Sequence, residues 1–125
     1  MTALSTEARQ LVQSALTAAG IDNYAAPPTV PKPGMVVVLP DLPWLDIERI
    51  GSRLNYIVRH RLLLLLDGRS NTGAQLQAED LAEEVLEALP SAFRVTYVGP
   101  PTVVDIGSQG GILAVEMSIQ VSMKE

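Results

Sequence analysis

From Ile112 to Met123 the chain alternates with a period of two. Leu113, Val115, Met117, Ile119, Val121 and Met123 fall on one side; Ala114, Glu116, Ser118, Gln120 and Ser122 fall on the other. Successive strand residues point to opposite faces, so this pattern predicts a long strand with one apolar face and one largely polar face. Such a strand needs a layer to cover it, and the chain supplies one amphipathic helix for that purpose.

A helix is expected over residues 5–19. Ser5 is a suitable N-cap, Glu7 lies in the first turn, and Gly20 can follow the last turn as the C′ residue. Leu4, Ala8, Leu11, Val12, Ala15, Leu16 and Ala19 make one apolar stripe. A second helix is expected from Gly73 to Leu89. Thr72 and Gln75 fit a capping box, Pro90 closes the helix, and Leu76, Ala78, Leu81, Ala82, Val85, Leu86 and Leu89 form its apolar side.

Between the helices, Pro27, Pro28, Pro31 and Pro33 make residues 21–34 a semi-rigid proline-rich arm. Met35 to Leu39 reads as a short strand that Pro40-Asp41-Leu42-Pro43 breaks. Trp44 to Ile50 fits a helical turn or an interrupted strand equally well. After Gly51 a long strand is expected. Leu54, Tyr56, Val58, His60, Leu62 and Leu64 share one of its faces, and Asn55, Ile57, Arg59, Arg61, Leu63 and Leu65 share the other. Its last residues, Leu62 to Leu66, are apolar on both sides, as in a strand covered twice. That suggests a helix on one face and a neighbouring subunit on the other. Residues 67–71 are expected as loop. Phe93–Val98 and Thr102–Ile106 are further strands, and residues 107–111 form a hairpin loop into the last. The order predicts a single α+β domain over residues 1–125: one mostly antiparallel sheet with two helices.

Composition narrows the function. The chain has 125 residues, 47% of them hydrophobic, which suits one globular core. Nine basic against fourteen acidic side chains give a net charge of −5. A sequence-independent nucleic-acid binder would need the opposite balance to displace counterions. The absence of cysteine excludes disulfides, thiolate metal sites and cysteine nucleophiles. The N-terminus has no basic segment followed by an unbroken apolar one. The longest aliphatic run, Leu62–Leu66, is far short of the roughly 20 residues of a membrane span. A soluble protein made in a cytoplasm, with no membrane partner, is expected.

Little in the chain can carry chemistry. His60, the one histidine, lies between Arg59 and Arg61, whose charge would favour a neutral imidazole. A base still needs a nucleophile or substrate, and a metal needs more ligands than one imidazole. A strand histidine packed on one face is the simpler reading. Glu79, Glu83 and Glu87 recur at i, i+4, i+8, with Asp80 and Glu84 beside them. They read as a solvated face, or as carboxylates for a divalent cation or acid–base work. Like charges at that spacing repel, so the face fits an assembly role, such as lining an anionic lumen or meeting a basic surface. Arg49, Arg53, Arg59, Arg61 and Arg69 make a basic stretch that could complement it on a neighbouring subunit. The loop at residues 107–111 is glycine-rich but lacks phosphate-cradle spacing, and no serine sits in a nucleophile motif. No catalytic, cofactor-binding or metal-ligating residue is assigned, and no enzymatic activity is expected.

The order of elements resembles a known family. The run from Tyr56 to Gly68 (YIVRHRLLLLLDG), followed by an acidic helix ending Val85-Leu86-Glu87-Ala88-Leu89, is similar to tail terminator proteins of long-tailed phages. Val95 to Pro101 (VTYVGPP) and the hairpin into Leu113–Val121 continue the similarity to actinobacteriophage-type neck and tail-completion proteins. The resemblance implies a lambda-type terminator fold and a structural virion protein of the tail or neck. It implies a hexameric ring that caps the tail tube, stops its polymerisation and joins the head–tail connector. Genomic DNA would pass through the lumen without sequence-specific binding. Arg59, Arg61, Glu79, Glu83 and Glu87 are then candidates for subunit or lumen contacts, and no cofactor is implied. The competing readings are a head–tail stopper or adaptor, another minor virion protein, a small dimeric ligand-binding domain, and an enzyme with carboxylates on the acidic helix.

Overall fold

A computed structural model describes residues 4–26, 32–66, 71–105 and 111–124. Two helices, α1 (Leu4–Ala18) and α2 (Asn71–Ala88), accompany six strands. These are β1 (Asn23–Tyr24), β2 (Val36–Ile50), β3 (Arg53–Leu65), β4 (Arg94–Val98), β5 (Thr102–Asp105) and β6 (Gly111–Lys124). The sheet order is β1-β2-β3-β6-β4, and β5 pairs with β6 on the same side as β4. All pairings are antiparallel except β1 with β2. The protein is therefore α+β.

Helix α1 is already helical at Leu4, so Ser5 lies within the helix and does not cap it. Its C-terminus closes as a Schellman motif. Gly20 N–H donates to the Thr17 carbonyl (3.0 Å) and Ile21 N–H to the Leu16 carbonyl (2.9 Å). Gly20 adopts φ 77°, a conformation that glycine reaches without steric cost. Leu16 and Ile21 are both buried in the core, completing the apolar contact that usually accompanies this motif. Asn71 and Thr72 are both helical, so Thr72 does not cap α2.

Two expectations for the chain between the helices need correction, and one open choice is decided. The proline-rich arm is not all irregular: Asn23 and Tyr24 pair in parallel with Val36 and Val37. Residues 27–31, which hold three of its prolines, lie outside the described residues. The strand at Met35–Leu39 does not end at Pro40 but runs on to Ile50 as β2. Proline removes a backbone donor, which an edge strand tolerates on its unpaired side. Beyond Val37 no strand among the described residues pairs with the outer side of β2, and the pairing with β3 shifts register between Pro40 and Leu45. This bulge absorbs the two prolines. Trp44–Ile50 is strand, and a two-residue turn with Gly51 at φ 63° leads into β3. The loops expected at residues 67–71 and 107–111 fall almost wholly outside the described residues, as does Ile106.

The core lies between the helices and one sheet face. Ala8, Val12 and Leu16 of α1 and Ala78, Leu81 and Val85 of α2 meet Val36, Val38, Val58, Leu62, Leu64, Val115, Met117, Ile119 and Val121. The β3 and β6 residues among these are those the two alternations assign to one side; Val36 and Val38 come from β2, whose apolar run carries no such signal. Leu76 and Leu86 do not join them; they are 59% and 44% exposed. Each is five residues from Leu81, which at 100° per residue turns it about 140° from the buried stripe. The far sheet face carries a smaller apolar cluster at one end: Met35, Val37, Leu63, Leu65 and Ala114, with Leu39, Val104 and Ile112 at its margin. The two-sided apolar end of β3 is thus buried within a single chain.

Candidate functional site

The far face of the sheet turns polar away from that cluster. Arg59 and Arg61 stand there on β3, opposite the helices. Arg59 pairs with Asp46 of β2 at 2.5 Å and Arg61 with Glu116 of β6 at 3.6 Å. Ser122 Oγ donates to Asn55 Oδ1 at 2.6 Å on the same face. The sequence reading offers these arginines to a neighbouring subunit, whereas the fold gives each an acidic partner of its own. Both pairs are partly exposed, so each arginine retains donors for a further contact.

Glu79, Glu83 and Glu87 lie on the exposed side of α2, together with Asp80 and Glu84. Among the described residues none of them forms an ion pair. The five candidate contact residues therefore divide between two layers of the molecule, arginines on the open sheet face and glutamates on the helix layer. No three acidic or histidine side chains among the described residues stand close enough together to hold a metal ion.

His60 points the other way from Arg59 and Arg61, into the helix side, and is 4% exposed. With Arg9 of α1, Ala25, Val38, Pro40 and Trp44 it lines a pocket of about 260 Å³. Burial lowers its pKa from the ordinary 6.5; the Arg9 guanidinium lowers it further, while Asp41 pulls the opposite way. The sequence reading therefore has the direction right and the source wrong. The flanking arginines face away through the sheet, and the cation that matters comes from α1, 51 positions earlier. His60 Nδ1 and Arg9 Nε are both buried without a hydrogen-bond partner.

Exposed apolar side chains gather along two sheet edges. Leu42 (89% exposed), Trp44 (46%) and Ile47 (59%) lie on β2. Tyr97 (52%), Val98 (45%) and Val103 (71%) lie on β4 and β5 at the opposite edge. Sequence reasoning does not single these out: prolines mask the strand character of Pro40–Trp44, and although β4 and β5 are legible as strands, their place at the sheet edge is not.

No protein-family model matches the chain, and no curated protein matches it either. Among the described residues no helix is long and apolar enough to cross a membrane.

Proposed function

We propose that this chain is a phage tail terminator, a structural virion protein whose copies close into a hexameric ring on the tail tube. The observation that carries the ring is the pair of unlike apolar edges. A closed ring requires each subunit to present two different patches that meet around a rotation. Leu42, Trp44 and Ile47 on one edge and Tyr97, Val98 and Val103 on the other are such patches. The tail assignment rests on the similarity of Tyr56–Gly68, the acidic helix and Val95–Val121 to that family.

In this reading the ring stops tube polymerisation on one side and receives the head–tail connector or stopper on the other. The acidic face of α2, with Glu79, Glu83 and Glu87, borders the lumen and keeps DNA from adhering during passage. Arg59 and Arg61 reinforce subunit contacts from the open sheet face. The protein is made in the host cytoplasm, resides in the tail or neck of the virion, and performs no catalysis. A head–tail stopper or adaptor would share the ring but would not act on the tube.

The test is to add the purified chain to polymerising tail tube protein and measure tube lengths by electron microscopy. A terminator shortens and caps tubes in proportion to its concentration. Unchanged lengths at excess protein would remove the terminator assignment.

A further inference from the structure

We propose that the pocket between α1 and the β2–β3 hairpin binds a carboxylate carried on a small apolar body. This goes beyond the ring reading and does not depend on it. Arg9 and His60 both line the pocket, and each keeps a buried nitrogen that no described group satisfies. Buried polar groups are nearly always hydrogen-bonded, so two neighbouring orphans point to a group that the chain itself does not supply. His60 is 4% exposed and cannot turn to solvent for it.

The chemistry of the lining selects the ligand. Arg9 provides a permanent cation whose planar fork matches a carboxylate. His60, held neutral by burial and by Arg9, carries one donor and one acceptor and adds no second charge. Asp41 acts electrostatically on the same imidazole, which disfavours an anion carrying two charges, such as phosphate. Among the described residues Arg9 is the one cation of the lining, so the site favours a single negative charge over two. The remaining walls are Ala25, Val38, Pro40 and the half-exposed Trp44. A pocket of about 260 Å³ falls just below the usual range for drug-sized ligands. It suits one branched chain or one ring attached to the carboxylate. That group can come from a free small acid or from the C-terminus of a peptide.

The chain holds one tryptophan and one histidine, and both line this pocket; buried His60 reports the pocket, and Trp44, which also stands in the edge patch, is read at constant protein concentration. The unmodified protein is titrated with 4-methylpentanoate and, separately, with 4-methylpentanamide. Trp44 emission and the His60 ring resonances are followed together. Saturable shifts of both probes with the acid are expected, with binding at least about tenfold weaker for the amide and for Arg9→Gln. An N-acetyl dipeptide ending in Leu identifies the source. Tighter binding than 4-methylpentanoate, lost on C-terminal amidation, assigns a peptide terminus; weaker binding assigns a free acid. The proposal is overturned if neither probe saturates by about 10 mM acid, or if acid and amide bind alike. It is also overturned if a folded Arg9→Gln variant binds undiminished. Should that variant not fold, the comparison of acid with amide in the unmodified chain decides.

Discussion

Leu76 and Leu81 provide a paired test of how α2 sits on the sheet, because the same substitution on the same helix should have unequal consequences. Leu81 is 7% exposed and belongs to the core shared with α1 and the strands; Leu76 is 59% exposed. Truncating Leu81 to Ala forfeits nearly the whole transfer free energy of a leucine side chain, about 1.5–3 kcal/mol, and leaves a cavity. Buried Leu→Ala changes cost about 2–5 kcal/mol, the spread reflecting how far the site collapses. Helix α2 forms an outer layer and can settle inward, so Leu81→Ala is expected to cost about 2–3 kcal/mol. That is a large share of the roughly 5–15 kcal/mol that stabilises a typical domain. Leu76→Ala loses less than half of the side-chain burial and leaves no enclosed cavity. Alanine's higher helix propensity returns a few tenths, leaving a cost of about 0.5 kcal/mol or less. Urea unfolding followed by circular dichroism reads both. With a slope of about 1–3 kcal/mol per molar, the midpoint falls by about 1–2 M for Leu81→Ala and by about 0.3 M or less for Leu76→Ala. Repeating the titration at two protein concentrations separates any contribution of Leu76 to subunit contacts. Equal midpoint losses at low concentration would refute the orientation of α2.

Three further outcomes follow from named contacts. Gly20→Ala should cost about 1 kcal/mol in the same unfolding assay, from its φ of 77° alone, because nothing lies within 4 Å of the added Cβ; a neutral result would contradict the Schellman closure. His60 is held below 6.5 by burial and by Arg9, so the folded state resists its protonation. Its contribution to stability is complete above the unfolded pKa and is lost as pH falls from about 6.5 through the lower folded value; between about pH 7 and 5 the urea midpoint should therefore decline less steeply in His60→Gln than in the unmodified chain. The pair Arg59–Asp46 is partly exposed, with side chains 24% and 49% accessible. A double-mutant cycle with Arg59→Gln and Asp46→Asn should give a coupling below about 1 kcal/mol that shrinks with added salt; a larger, salt-insensitive coupling would show that the pair is more enclosed than the sheet face indicates.

Much of the sheet is legible in the alternation itself. The two faces of β3 and β6 follow from period-two patterning, since a one-residue slip would turn every apolar side chain to solvent. β2 is harder to read because Pro40 and Pro43 signal a break, and only its place at an edge makes them compatible with a strand. β1 is two residues long and carries no pattern at all. On α2 the apolar residues outnumber the places on the buried stripe, so counting them assigns Leu76 and Leu86 to a core that has no room on that side. The pocket is the least legible feature. His60 is conspicuous as the one histidine, but Arg9, Trp44 and His60 meet only through the packing of α1 against the β2–β3 hairpin. Local spacing favours Arg59 and Arg61 as its neighbours, although adjacent residues on a strand face opposite ways. The same alternation places Arg59 and Arg61 together on the open face, where Asp46 and Glu116 meet them.

The ring is the central claim, and native mass spectrometry of the purified chain, alone and after mixing with tail tubes, tests it most directly. The account predicts a six-subunit species, either free in solution or formed from monomers on tube ends. A stable dimer whose mass and population do not respond to tubes would contradict it.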